Sequence, residues 1–498
     1  MGIVGEELLD GTEDMISWLL LSELIFICLH IINLSSGVIV QKILAEQALL
    51  ANGWASDVMV EVNTRGQIDR VLDAVSEAEQ KTATHRVGIL LPAPVNVHSH
   101  AFQRAMAGLT ECRGPDPRDT FWTWRELMYR FLDRLDPQQV EAIAAFVQME
   151  MLEAGYAVNV EFHYLHHQSG GQPYDNLDEM VQRVVAATHT TGIGLTLLPV
   201  YYQYGGCDAR SLGAGQIRFG NTLNRYADLL AMSRRAVETL PKDCRLGVAP
   251  HSLRAIAQSD LASLVELADG DPFHMHIAEQ VAEVEEVQAA WGARPVEWLL
   301  NHADVTNQWC LIHCTQMAPQ ETEALARSGA VAGLCPITES SLGDGIFDGV
   351  RWLDNEGSIA VGSDSNIRIS LSEELRTLDY SQRLRDRSRA ALATAELSTG
   401  RRIYDAILAG GSQAAGRHSG CIETGAWADM LALDNTAVDL LNRHGDAVLD
   451  SFIFAGDDRM VCDVWSAGRH MVRQGQHIDH DAITAGFAGV MMDLAEQI

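Results

Sequence analysis

The sequence predicts an α/β protein: a (β/α)8, TIM-like barrel with a small β-sandwich domain formed by both chain ends. Two observations predict it. From about Ala83, short apolar strands alternate with amphipathic helical stretches, the rhythm of a parallel sheet with helical crossovers. We count eight strand-like runs, ending near His100, His163, Tyr201, His251, His276, His313, Pro336 and Asp364. Eight such units close a barrel, and polar residues gather at the strand ends, the face where barrels place chemistry. Helical stretches between them include 137–154, 221–240 and 319–328.

The flanks differ in texture. Residues 42–90 and 418–477 are rich in short β-like runs and turns, as in "VCDVWSAGRHMVRQGQ". The expected organisation is an amino-terminal extension of unknown role (1–40), a small β-domain (41–90 and 416–480), the barrel (91–415) and a carboxyl-terminal helix (481–498). No internal repeat or low-complexity linker interrupts it. In the extension, 16–32 is strongly apolar, but Glu23 and His30 interrupt it. It is short for a spanning helix, which needs roughly 20 apolar residues. The preceding flank carries Glu6, Glu7, Asp10, Glu13 and Asp14 with no basic residue, which argues against a secretory signal.

Thirty-six Lys and Arg stand against 67 Asp and Glu, a formal charge of −31. Such a field repels phosphate backbones and anionic lipid, so neither nucleic acid nor a membrane surface is an expected partner. It also repels acidic substrates, which would need local arginines. The nine cysteines include no CxxC pair and read as buried thiols of a reducing, cytoplasmic compartment.

The chemistry-bearing residues sit at the strand ends. "NVHSH" places His98 and His100 two apart at the end of an apolar strand, so both imidazoles face one way. Neutral imidazoles so placed can grip a divalent ion at about 2.0–2.1 Å. "HMHIAEQ" supplies His276 and, three residues on, Glu279; "CLIHCT" supplies His313; "IAVGSDSN" supplies Asp364. Alone, an HxH pair is commonly surface or core, and a strand-end Asp commonly caps a helix. Their joint order on one rim is what points to a metal site. His274 shares a face with His276 but lies deeper and reads as core; His166, His167 and His189 read as loop or helix residues.

These motifs resemble the amidohydrolase superfamily and, within it, the formimidoylglutamate deiminase family of histidine degradation. The resemblance rests on "NVHSHAFQRAMAGLTE", "FWTWRELMYRF", "EFHYLHH", "APHSLRA", "HMHIAEQ" and "GSDSNIRISL", and runs from about Ile43 to the carboxyl end. "CPITESSLGDGIF" departs slightly from the family's wording, without touching an expected ligand. The resemblance implies one metal held by His98, His100, His276 and Asp364, with zinc the default for a nitrogen-rich set and iron the alternative. Many superfamily members bridge two metals with a modified lysine. Here only Lys42, Lys81 and Lys242 exist, none at a strand end. Glu161 could bridge in principle, but the HxxE pattern of the fifth strand belongs to the mononuclear type.

A bound divalent ion lowers the pKa of its water toward about 7. Asp364 is then expected to accept the water proton, Glu279 to carry a proton to the imine nitrogen, and His313 to polarise the attacked centre or steady the hydroxide. For Glu279 the competing reading is a carboxylate at a helix amino terminus. The resemblance implies a small acidic, amino-acid-derived substrate, N-formimidoyl-L-glutamate, and a homodimer. Its two carboxylates would need guanidinium partners. Arg254 and Arg125 are the candidates, the latter against the alternative of a surface ion pair with Glu126. Gln103, Tyr164 and His251 match family positions associated with substrate. The rival readings are a mononuclear deaminase of a purine, pyrimidine or pterin ring, and a catalytically silent barrel acting as a binding protein.

Overall fold

The computed structural model describes residues 38–111 and 121–495. The amino-terminal apolar run, and most of the extension that contains it, lie outside the described residues. Among the described residues, no helix is long and apolar enough to cross a membrane.

Four strands open the described chain: β1 (Ile39–Leu50), β2 (Gly53–Asn63), β3 (Ile68–Leu72) and β4 (His85–Pro92). The barrel follows with β5 (Val95–Ser99), β6 (Val158–His163), β7 (Gly194–Tyr201), the split β8 (Arg245–Leu246) and β9 (Ala249–Pro250), β10 (Phe273–Ile277), β11 (Trp309–His313), β12 (Val331–Leu334) and β13 (Ser358–Val361). The observed ends fall within three residues of the eight expected ones. These strands are short apolar runs because both faces are buried: β6, β7, β10 and β11 are buried at every position.

The barrel strands form two parallel sheets, β5-β6-β7-β8 with β9 pairing β7, and β10-β11-β12-β13. Isolated parallel bridges join them at both seams, Ser99 with Asp364 and Val248 with Phe273. Helices cross between successive strands. Pro137–Glu153 starts at a capping box of Asp136 and Gln139 with Pro at its first turn. Leu223–Val237 starts on the Thr222 side chain, and Pro319–Ala326 starts with Pro.

The two chain ends combine in one mixed sheet of eight strands, completed by β14 (Met430–Leu433), β15 (Val461–Ser466), β16 (Arg469–Arg473) and β17 (Gln476–His477). Its order is β17-β16-β15-β14-β4-β1-β2-β3. Its inner face encloses Ile43, Val58, Val60, Leu90, Met430 and Trp465, all buried. Sheet and barrel are clasped at the barrel's amino-terminal end. There the buried Arg417 guanidinium pairs with both oxygens of Asp429, each at 2.9 Å, and with Asp243 at 3.0 Å. Arg469 of β16 reaches the same Asp243 at 2.8 and 2.7 Å. The helix His480–Ala495 then stacks Phe487 on Phe146 of Pro137–Glu153, with ring centroids 4.0 Å apart.

Candidate active site

Backbone bonding between β5 and the turn after β13 builds the centre of the site. The Asp364 amide donates to the His98 carbonyl and the His100 amide donates to the Asp364 carbonyl, each at 2.9 Å. Gly362 allows this approach, since a Cβ there would lie 2.6 Å from the His98 nitrogen. Asp364 and His313 both adopt positive φ, 47° and 73°, a cost the surrounding packing must hold.

Four buried side chains converge: His98, His100, His276 and Asp364. The His98 Nε2 lies 3.2 Å from His100 Nε2 and 3.0 Å from His276 Nε2. The Asp364 Oδ1 lies 3.2 and 3.1 Å from the Nε2 atoms of His98 and His100. Two of the rings are oriented from behind. His100 Nδ1 meets the Phe162 carbonyl and His276 Nδ1 the His251 carbonyl, each at 2.9 Å. A carbonyl only accepts, so Nδ1 carries the proton and the Nε2 lone pair faces inward.

Burial, aided by the neighbouring rings, holds His276 well below the ordinary imidazole range. Burial takes His98 down to about 3, against the opposing pull of Asp364. Burial alone would raise the Asp364 carboxyl, but bonds to His100 and His98 hold it well below the usual range. Neutral imidazoles and an ionised carboxylate aimed at one point are the donor set a divalent cation requires, so the residues fit a metal. Glu161 is turned away from this centre. Its carboxylate accepts from the Ala101 amide at 2.7 Å and from Asn159 at 3.1 Å, bracing the turn after His100.

One pocket opens on the cluster and brings together every other expected site residue: Gln103, Arg125, Tyr164, His251, Arg254, Glu279 and His313. His313 Nε2 stands 3.8 Å from the Glu279 carboxylate. Burial raises the Glu279 pKa, with His313 pulling the other way. Burial opposes a charge on His313, but Glu279, Glu339 and Asp364 outweigh it and push the imidazole up to about 10. Gln103 donates to the Tyr164 hydroxyl at 2.8 Å, and its carbonyl oxygen is buried with no partner among the described residues. Arg254 lies buried on the single turn Leu253–Ala255, just past β9. Arg125 reaches in from the helix Phe121–Leu132 and donates to the Tyr202 hydroxyl at 2.9 Å, so it is no surface arginine. His274 instead bonds the Ala414 carbonyl at 2.8 Å within the core, as its deeper position implies.

The structure adds residues that the sequence does not single out. Trp124, Tyr129, Tyr202 and Phe219 complete the pocket wall. Glu339, on the short helix Pro336–Leu342, meets His313 Nδ1 at 3.3 Å and accepts from the Cys335 amide at 2.8 Å. Gln280 donates to Asp344, whose carboxyl burial and the charge of Glu279 push up to about 9. Glu339 and Asp344 both lie in "CPITESSLGDGIF", the stretch with unfamiliar wording, and that departure is the one signal pointing to them.

The pattern of the amidohydrolase family matches residues 89–471. With that match and the barrel-end cluster of histidines and aspartate, the chain belongs to the amidohydrolase family. It is 45% identical over 457 residues to formimidoylglutamate deiminase of Pseudomonas aeruginosa, covering 91% of this chain and 99% of that protein. Among solved structures, an amidohydrolase from Brucella melitensis superposes with a TM-score of 0.87 at 44% identity, over 92% of this chain and 100% of its own. An adenosine deaminase from Xanthomonas campestris, solved with bound zinc, shares the fold: TM-score 0.75, 21% identity, 93% and 100% coverage.

Proposed function

We propose that this chain hydrolyses the C–N bond of N-formimidoyl-L-glutamate, giving N-formyl-L-glutamate and ammonia. What carries the reading is one buried pocket that joins a four-donor metal cluster, a carboxyl–imidazole pair and two guanidinium groups, in a chain 45% identical to a formimidoylglutamate deiminase.

In this reading His98, His100, His276 and Asp364 hold one zinc ion, with iron the alternative. A divalent ion in such a site supplies a water of lowered pKa and Lewis acidity. The chain's own residues do the rest. Asp364, kept ionised by its histidine neighbours, accepts a proton as a C–O bond forms at the formimidoyl carbon. Glu279, whose neutral form burial favours, gives a proton to the departing nitrogen. Asp364 passes its proton on to the same nitrogen, the new hydroxyl returns a proton to Glu279, the C–N bond breaks, ammonia leaves, and the formyl carbonyl remains. His313, held from behind by Glu339, orients the reacting group. The open carbonyl of Gln103 accepts from an amidine N–H, while Tyr164 and His251 shape the wall. Arg254 and Arg125 take the carboxylates, the arrangement a dianion needs in a chain of formal charge −31.

The reading includes a cytoplasmic enzyme and a homodimer, the latter tested by light scattering. The activity is tested by ammonia release from N-formimidoyl-L-glutamate, with adenosine, cytosine and a pterin as controls. Release from the first alone supports it. Faster release from a ring substrate overturns it in favour of a ring deaminase.

A further inference from the structure

Tyr202 follows β7 directly, is 3% exposed and lines the pocket. Its hydroxyl oxygen receives two hydrogen bonds, from Arg125 Nη2 at 2.9 Å and from Gln216 Nε2 at 2.8 Å. Both directions are settled by chemistry. A guanidinium only donates. The Gln216 amide could in principle be turned round, but its carbonyl oxygen accepts from the Gly213 amide at 3.0 Å, so its NH2 must face Tyr202. A phenol has one proton and two acceptor sites. With both acceptor sites taken, the Tyr202 proton must point elsewhere, and among the described residues no acceptor meets it.

We propose that the Tyr202 hydroxyl donates to a substrate carboxylate beside Arg125, in a subsite whose direction Gln216 sets. The two donors fix the rotation of the hydroxyl about its C–O bond, and neighbouring rings close off other sides. His251 packs edge-on at 4.7 Å between centroids and Phe219 lies at 5.7 Å. The remaining direction is the pocket. Placement fits an acid group rather than the reacting carbon, since His251 stands between Tyr202 and the metal cluster, stacking on His276 at 4.8 Å. Two donors of different kind, one charged and one neutral, then share a carboxylate. An amide oxygen, carrying less charge, binds such a pair less well.

This assignment rests on the acidic-substrate reading, and the experiment separates the two. Tyr202→Phe keeps the ring and removes the proton. Gln216→Glu keeps ring and hydroxyl but replaces the donor by an acceptor, which draws the Tyr202 proton out of the pocket. Gln216 is not among the pocket-lining residues. With N-formimidoyl-L-glutamate, both variants should raise KM about ten- to a hundredfold, with kcat within about threefold of wild type and metal content unchanged. The penalty should shrink to under about threefold on whichever of the two monoamides lacks the matched carboxylate. The proposal is overturned if Tyr202→Phe changes KM less than twofold, if the loss is equal on the diacid and both monoamides, or if Gln216→Glu binds like wild type. Should wild type release no ammonia from the diacid, the functional reading fails, and calorimetry with glutarate then decides Tyr202. About tenfold weaker binding by either variant supports the donor; equal affinity, or no glutarate binding by wild type, overturns it.

Discussion

Replacing Arg417 by Met should cost stability without touching catalysis. The guanidinium is fully buried, and so are its partners Asp429 and Asp243, whose side chains are 0% and 1% exposed. Met fills much of the volume but leaves two carboxylates, Asp429 and Asp243, in the interior without their shared guanidinium. Breaking a buried pair from one side costs about 3–5 kcal/mol. At about 2.1 cal/mol/K per residue, unfolding a 498-residue chain has an entropy near 1 kcal/mol/K, so Tm should fall by roughly 3–5 °C. The clasp lies beside Gly194, at the start of β7 and opposite the site, the end of a barrel that governs stability. KM and kcat at 25 °C should therefore match wild type. Burial works against the Asp243 charge, but Arg469 and Arg417 hold its pKa below 3.8. A depressed carboxyl stabilises fully above its unfolded pKa and less as pH falls through the folded one. The Tm gap between wild type and variant should thus be widest at high pH and shrink as pH falls, from the raised pKa of the stranded carboxyls in the variant down through the depressed one in wild type. Scanning calorimetry measures it. Adding Asp429→Asn to Arg417→Met should recover part of the loss, because it neutralises the stranded charge. A single variant melting within 1 °C of wild type, or a double variant melting lower still, would mean that the Arg417 clasp does not stabilise the fold.

Three further outcomes are expected. His98→Ala and Asp364→Ala should abolish turnover, measured as ammonia release; near wild-type kcat at full purity would remove both from the metal site. Elemental analysis of active protein should find about one zinc per chain, and two tightly held metals would contradict the mononuclear reading. Arg254→Met should leave metal content intact and lower kcat/KM for N-formimidoyl-L-glutamate about ten- to a hundredfold, the loss of one charge-assisted bond of about 1.5–3 kcal/mol. Equal loss on a monoamide substrate would make Arg254 structural.

Much of the barrel is legible in the sequence because its strands are buried on both faces and read as short apolar runs between helical stretches. His98 and His100 are legible for a related reason: period two in a strand puts both rings on the face where Asp364 arrives. The continuity of the β-domain is not. It depends on β4 pairing with β14, Leu90 opposite Ala432, a register between chain ends that no local pattern encodes. The break of the fourth barrel strand at Gly247 is likewise set from outside, where a Cβ would press on Leu198 and the Pro272 carbonyl. Tyr202 and Glu339 escape a sequence reading because each acquires its role from a partner on an element distant in the chain. Gln216 and Arg125 define one, and His313 the other. Arg125 shows the same effect in reverse. Next to Glu126 it suggests a surface pair, yet the helix it sits on aims it at Tyr202.

The deimination is followed at the reacting atom with N-formimidoyl-L-glutamate carrying 13C at the formimidoyl carbon, added to zinc-loaded protein and monitored by NMR and an ammonia assay. A formyl carbon and ammonia should appear mole for mole, with kcat/KM of at least about 10⁴ M⁻¹s⁻¹, the lower end for an enzyme on its own substrate. The reaction should be lost on chelation and return with zinc. An unchanged formimidoyl signal in the presence of fully metal-loaded protein would contradict the proposed deimination.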